Sequence, residues 1–106
     1  MTNFMDYRDH TGAAPEIFFK ATLAESPRLL LGLNCLEPGQ TQAAHSHAEQ
    51  DKFYFVIEGE GEFTVGDETR LAGTGMTVWA PAGAAHGVAN RGGARLVLLV
   101  GIAPWK

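Results

Sequence analysis

A chain of 106 residues carrying a formal net charge of −4, from eight Lys and Arg against twelve Asp and Glu, has room for one domain with a modest core. Its hydrophobic content of 45% and charged content of 19% exclude a disordered chain. Cations scattered singly give no nucleic-acid stripe, the lone Cys35 allows no intrachain disulfide, and no apolar run approaches the roughly 20 residues of a membrane helix.

Residues 1–15 are of mixed polarity, with Gly12 and Pro15 near the end, and read as an N-terminal arm ordered by packing on something else. The arm interleaves charges where a signal peptide needs an apolar run, which together with the single cysteine points to the cytoplasm. His10 lies there without a partner histidine at strand or helix spacing and reads as a surface residue. Ile17, Phe18 and Phe19 predict a first strand over Glu16–Leu23, ended by Glu25-Ser26-Pro27. Arg28–Leu36 predicts a second. Leu29, Leu31 and Leu33 alternate there with Leu30 and Leu36, so both of its sides should be covered, and Cys35 reads as a small core hydrophobe.

The Glu37-Pro38-Gly39 turn leads into a strand carrying His45 and His47. Alternate residues of a strand share a face, with backbone positions roughly 6.5–7 Å apart, so the two imidazoles can lean onto one ion. Lys52–Glu58 then alternates between an apolar face (Phe53, Phe55, Ile57) and a mixed one (Lys52, Tyr54, Val56, Glu58). The mixed face is assigned to the interior. The apolar face must be buried under another strand, the arm or a second subunit. Turns at Gly59-Glu60-Gly61 and Gly66-Asp67-Glu68 flank a strand over Glu62–Val65, and Thr69–Ala72 pairs back. Met76–Ala80 is a short buried strand in which Trp79 reads as core. Pro81-Ala82-Gly83 turns the chain toward His86, and Arg91-Gly92-Gly93 makes the last tight turn before an apolar strand over Ala94–Val100. About eight short strands with no amphipathic helix predict an all-β sandwich or barrel, one unit over residues 1–106.

Two patterns in this order are specific. Gly39, five residues, His45-x-His47 and a strand closing on Gly59 form the first; Gly75, five residues, Pro81, one residue, Gly83, two residues, His86, three residues and Asn90 form the second. In both, the chain resembles the cupin superfamily of small jelly-roll β-barrels. The resemblance implies one divalent transition-metal ion (Fe, Mn, Zn, Ni or Cu) in the barrel mouth, held by His45, His47 and His86. Pro81, Gly83 and Asn90 are turn formers that position His86. The chain departs from the family at Lys52, which stands where a glutamate ligand is usual, seven positions before Gly59. A lysine ammonium has no lone pair to give a metal. Gln50 and Asp51 are the neighbours able to replace the missing ligand; Lys52, if it points inward, and Tyr54 on the same strand face are further candidates for the site. Three neutral histidines leave an ion's charge uncompensated, which favours a small anionic organic ligand. The expected function is a metalloenzyme acting on a small anionic or enolisable substrate, dioxygenase-like or isomerase-like; the alternative is a non-catalytic ligand-binding or structural-metal module. Paired barrels, usual in this family, and the apolar face of Lys52–Glu58 predict a homodimer.

Overall fold

The computed structural model describes residues 2–106 and contains one 3₁₀ turn and nine strands. The turn is Tyr7–Asp9. The strands are β1 (Phe19–Glu25), β2 (Leu30–Leu36), β3 (Thr41–His45), β4 (Asp51–Glu58), β5 (Glu60–Val65), β6 (Glu68–Gly73), β7 (Thr77–Ala80), β8 (His86–Ala89) and β9 (Leu96–Ala103). They form two antiparallel sheets ordered β1-β2-β9-β4-β7 and β3-β8-β5-β6. Facing each other, these give the all-β jelly-roll barrel that the sequence predicts.

Alternation along each strand divides the larger sheet into two differently buried faces. Inside, Leu36, Tyr54, Val56, Leu96 and Leu98 are fully buried and pack with Phe63, Val88, Val100 and Ile102 from both sheets. Burying each such aliphatic side chain contributes about 1.5–3 kcal/mol. Outside, Leu33, Cys35 and Val97 pack with Tyr7, Phe19, Ala21, Leu23 and Ile57. Both sides of β2 are therefore covered, as its leucines require, and Cys35 is a buried core thiol whose pKa burial pushes up.

The N-terminal arm supplies part of the outer cover. The Tyr7 hydroxyl donates to Glu58 Oε2 at 2.6 Å, and Gln40 Nε2 donates to the Ala14 carbonyl at 2.6 Å. His10 closes the 3₁₀ turn through its backbone N–H to the Tyr7 carbonyl and is far from any other histidine in sequence.

Several boundaries differ from expectation for physical reasons. The first strand starts at Phe19, because Ile17 is solvent-exposed and has no sheet to enter, and it runs on to Glu25. Glu58, predicted on the interior face of β4, points the other way. The pairing with β9 slips between Val56 and Glu58, and this bulge turns the carboxylate outward to Tyr7. Trp79, expected in the core, lies on the outer face of edge strand β7 and is 56% exposed. The last strand extends to Ala103, and β8, a strand absent from the sequence reading, begins at His86 itself.

Candidate metal centre

Two backbone features bring the three histidines together. His45 ends β3 and pairs directly with His86, the first residue of β8. His47 lies two residues beyond β3, in the loop and not on the strand as expected; its carbonyl accepts the Gly83 N–H at 2.8 Å, which fastens that loop to the turn before His86. Gly83 has φ of +85°, a conformation that favours glycine, so the Pro81-Ala82-Gly83 turn is fixed by its residue chemistry. Gly87 serves close approach: a Cβ there would sit 2.7 Å from the Gln42 carbonyl, pushing β3 away from β8. Asn90 closes the far end of β8. Fully buried, its amide nitrogen donates to the Leu36 and Ala94 carbonyls at 2.8 and 2.9 Å, and its Oδ1 accepts the Gly92 N–H at 3.0 Å.

The imidazole rings converge, with centroids 4.4 Å apart for His45 and His86, 4.9 Å for His45 and His47, and 5.7 Å for His47 and His86. One nitrogen from each lies within 4.8 Å of the others. Nitrogens bound to one ion at about 2.1 Å stand about 3–3.5 Å apart, so small ring rotations close the set onto a metal.

Hydrogen bonding prepares the lone pairs. Nδ1 of His45 faces the Ala43 carbonyl at 3.0 Å, and Nδ1 of His86 faces the Ala84 carbonyl at 3.1 Å. A carbonyl can only accept, so each Nδ1 carries the proton and each Nε2 keeps its lone pair. His86 Nε2 is buried and has no hydrogen-bond partner among the described residues. Such an atom costs about 1–3 kcal/mol unless something binds it. Burial, with the neighbouring positive charges of Lys52 and His45 opposing protonation, lowers the pKa of both His47 and His86. His47 and His86 thus favour the neutral form that can ligate a metal, and the three residues fit a divalent transition-metal ion.

The other candidates divide. Lys52 points inward: it is 4% exposed, its Nζ lies 4.6 Å from the Tyr54 ring centroid, and it lines the same cavity as His45 and His47. Burial, then repulsion from Lys20, holds its pKa down at about 8. Tyr54 is fully buried with its ring 6.2 Å from that of His86; its hydroxyl donates to Gln42 Oε1, and burial raises its pKa, keeping the phenol neutral. Asp51 is outside the three-histidine cluster, and neither it nor Gln50 lines that cavity. Asp51 is exposed and its carboxylate accepts the Ala82 N–H at 2.9 Å, while Gln50 Nε2 donates to the carbonyls of Pro104 and Trp105 at 3.0 and 3.2 Å. These hydrogen bonds tie one Asp51 carboxylate oxygen to the Pro81-Ala82-Gly83 turn and the Gln50 amide nitrogen to the backbone after β9.

The cavity beside the histidines has a volume of about 450 Å³. Lys20, Asn34, Gln42 and Trp105 also line it, and sequence reasoning missed all four. Asn34 carried a usable signal, being the one amide in an otherwise apolar β2. Gln42 carried none, because it faces inward through a break in the β3–β8 register between Gln42 and His45. Without that break, two residues three apart would face opposite sides.

Comparison with known proteins agrees with this geometry. The profile of the Cupin domain family matches residues 32–102. The solved structure of TT1209 from Thermus thermophilus is 40% identical, superposes with a TM-score of 0.94, and the match covers 97% of this chain and 98% of that one. A double-stranded β-helix protein from Klebsiella pneumoniae superposes with a TM-score of 0.92 at 21% identity, over 98% of this chain and 91% of that one, and shares the fold. The uncharacterized protein SCO3923 of Streptomyces coelicolor is 45% identical over 56 residues, which take in 53% of this chain and about half, 52%, of that protein. With both histidine motifs inside the matched segment and the barrel around them, the chain belongs to the cupin family.

Proposed function

We propose that His45, His47 and His86 hold one divalent transition-metal ion and that the protein is a metalloenzyme acting on a small anionic or enolisable substrate, with dioxygenase-like or isomerase-like chemistry. The observation that carries this reading is the buried, unpartnered Nε2 of His86, set among nitrogens within 4.8 Å of one another. When bound, the ion supplies Lewis acidity toward an oxygen of the substrate. The chain's own residues do the rest. Three histidines without a fourth protein ligand leave coordination positions for a substrate, which disfavours a purely structural metal. Tyr54 holds Gln42 by its Oε1, so the Gln42 amide N–H₂ is the group offered to a ligand in the cavity. Leu30, Val100 and Ile102 exclude water from one wall.

A second reading, a non-catalytic ligand-binding module, is favoured by one observation: among the described residues no carboxylate lines the cavity to act as a general base. Elemental analysis tests the metal site. One equivalent of metal in the wild type and loss of it in His86→Ala is the expected result; full occupancy in His86→Ala overturns it. A screen of small carboxylic acids for thermal stabilisation, followed by product analysis of those that bind, separates the enzyme from the binder.

A further inference from the structure

The cavity beside the histidines carries positive charge that the protein does not balance. Lys52 is 4% exposed, and among the described residues no carboxylate pairs with it. Lys20 lines the same cavity from edge strand β1, near enough for the two charges to repel. A buried ammonium without a counter-ion is unfavourable to folding. Apolar residues would cover the inner face of β4 at this point with no such cost, so the lysine invites a ligand-binding explanation.

We propose that Lys52, with Lys20 at the rim, forms a carboxylate-binding arm of the site, and that its ligand is a small organic dianion with one anionic end at the three histidines and the other at Lys52. This rests on the metal reading above and adds the class of ligand. A divalent ion on three neutral imidazoles together with two ammonium groups brings four positive charges to one cavity. A monoanion leaves three of them and a dianion two, so the second carboxylate is the group the cavity selects. About 450 Å³ accommodates a four-carbon skeleton, and the apolar walls of Leu30, Val100, Ile102 and Trp105 suit its methylenes. Asn34, 6% exposed and lining the same space, adds an amide donor. Lys52 held near a pKa of about 8 is still mainly an ammonium at neutral pH, the form that binds a carboxylate.

The test uses succinate and butyrate, which share four carbons and differ by one charge, titrated calorimetrically into Zn²⁺-loaded wild type, Lys52→Met and Lys20→Met. A charge-assisted hydrogen bond corresponds to roughly 10- to 100-fold in affinity. Succinate is expected to bind wild type about tenfold or more tightly than butyrate. Lys52→Met should remove most of that preference with zinc stoichiometry unchanged; Lys20→Met, on the surface, should reduce it in part. Equal binding of the two acids by wild type, or an undiminished succinate preference in both variants, overturns the proposal. Zinc stoichiometry measured on the same samples keeps the two readings apart: loss of the preference with zinc still bound refutes only the dianion arm, while wild type that takes up no zinc refutes the metal centre.

Discussion

Replacing Lys52 by methionine in the metal-free protein should raise stability, and by an amount that depends on pH. Burial, then Lys20, lowers the Lys52 pKa from 10.5 to about 8 in the folded state. That difference corresponds to on the order of 3 kcal/mol by which the fold disfavours the ammonium. Between pH 8 and 10.5 the unfolded chain holds this proton and the folded one does not, so wild-type stability climbs through that window. Below it both states are protonated and the whole penalty is present. Methionine has similar volume and no charge, so Lys52→Met should gain about 3 kcal/mol at neutral pH, a rise in Tm on the order of 10–20 °C for a domain of this size. The gain should shrink above about pH 8 and vanish near 10.5. Urea unfolding of both proteins, chelator-treated, at about pH 7 and at pH 10.5 measures it; taking the difference cancels every group common to the two. Equal gain at both pH values, or a variant less stable than wild type at pH 7, would refute the argument that desolvation of a cation is the cost.

Metal binding should weaken as pH falls, because protons compete for the imidazole nitrogens, and His47 and His86, harder to protonate than free imidazole, should resist that competition; metal titrations across pH 5–7.5 check this, and an affinity that does not fall with pH would contradict it. Asn90→Ala removes three hydrogen bonds from a fully buried position and should destabilise by about 2–4 kcal/mol, read as a fall in Tm. Tyr54→Phe should cost only about 1 kcal/mol and leave metal stoichiometry intact, because the hydroxyl holds Gln42 and not the ion; loss of metal in that variant would place Tyr54 in the centre itself. The outer face of the larger sheet leaves Leu29 and Trp79 exposed and Phe53 and Phe55 half-buried, more than the arm covers, and we propose that a second copy of the chain packs there; light scattering at micromolar concentration should give a dimer mass, and a monomer mass refutes it.

The features legible from the sequence were those written in residue type at fixed spacing. His45, His47 and His86 converge because glycine and proline turns leave little freedom in the segments that carry them. The inward direction of Lys52, Tyr54 and Val56 followed from simple alternation along β4. Alternation failed at Glu58, where an irregularity of the backbone, not of the side chains, reversed the facing. Gln42 was hidden by a similar slip, and Lys20 and Trp105 by distance in sequence, since they reach the cavity from an edge strand and from the chain's end. Gln50 and Asp51 were attractive by position alone; the structure shows the Gln50 amide nitrogen and one Asp51 carboxylate oxygen bonded to backbone.

The register break between Gln42 and His45 ties two distant positions of the chain to one another. Gln42 stands opposite Val88 and His45 opposite His86, so β3 spends one residue more than β8 over the same span. The surplus backbone crowds Gly87, where an added Cβ would meet the Ala44 nitrogen and Cα at 3.0 and 3.1 Å as well as the Gln42 carbonyl. Extra length on one strand and a missing side chain on the other are therefore a matched pair. A chain that dropped Ala43 or Ala44 would keep both pairings and both inward facings, and would release position 87 to carry a side chain. A chain that gained a side chain at 87 while keeping the surplus residue would push β3 off β8 and draw His45 away from His86. The spacing of His45 and His86 thus answers to two positions outside the histidine cluster, and neither can drift without the other.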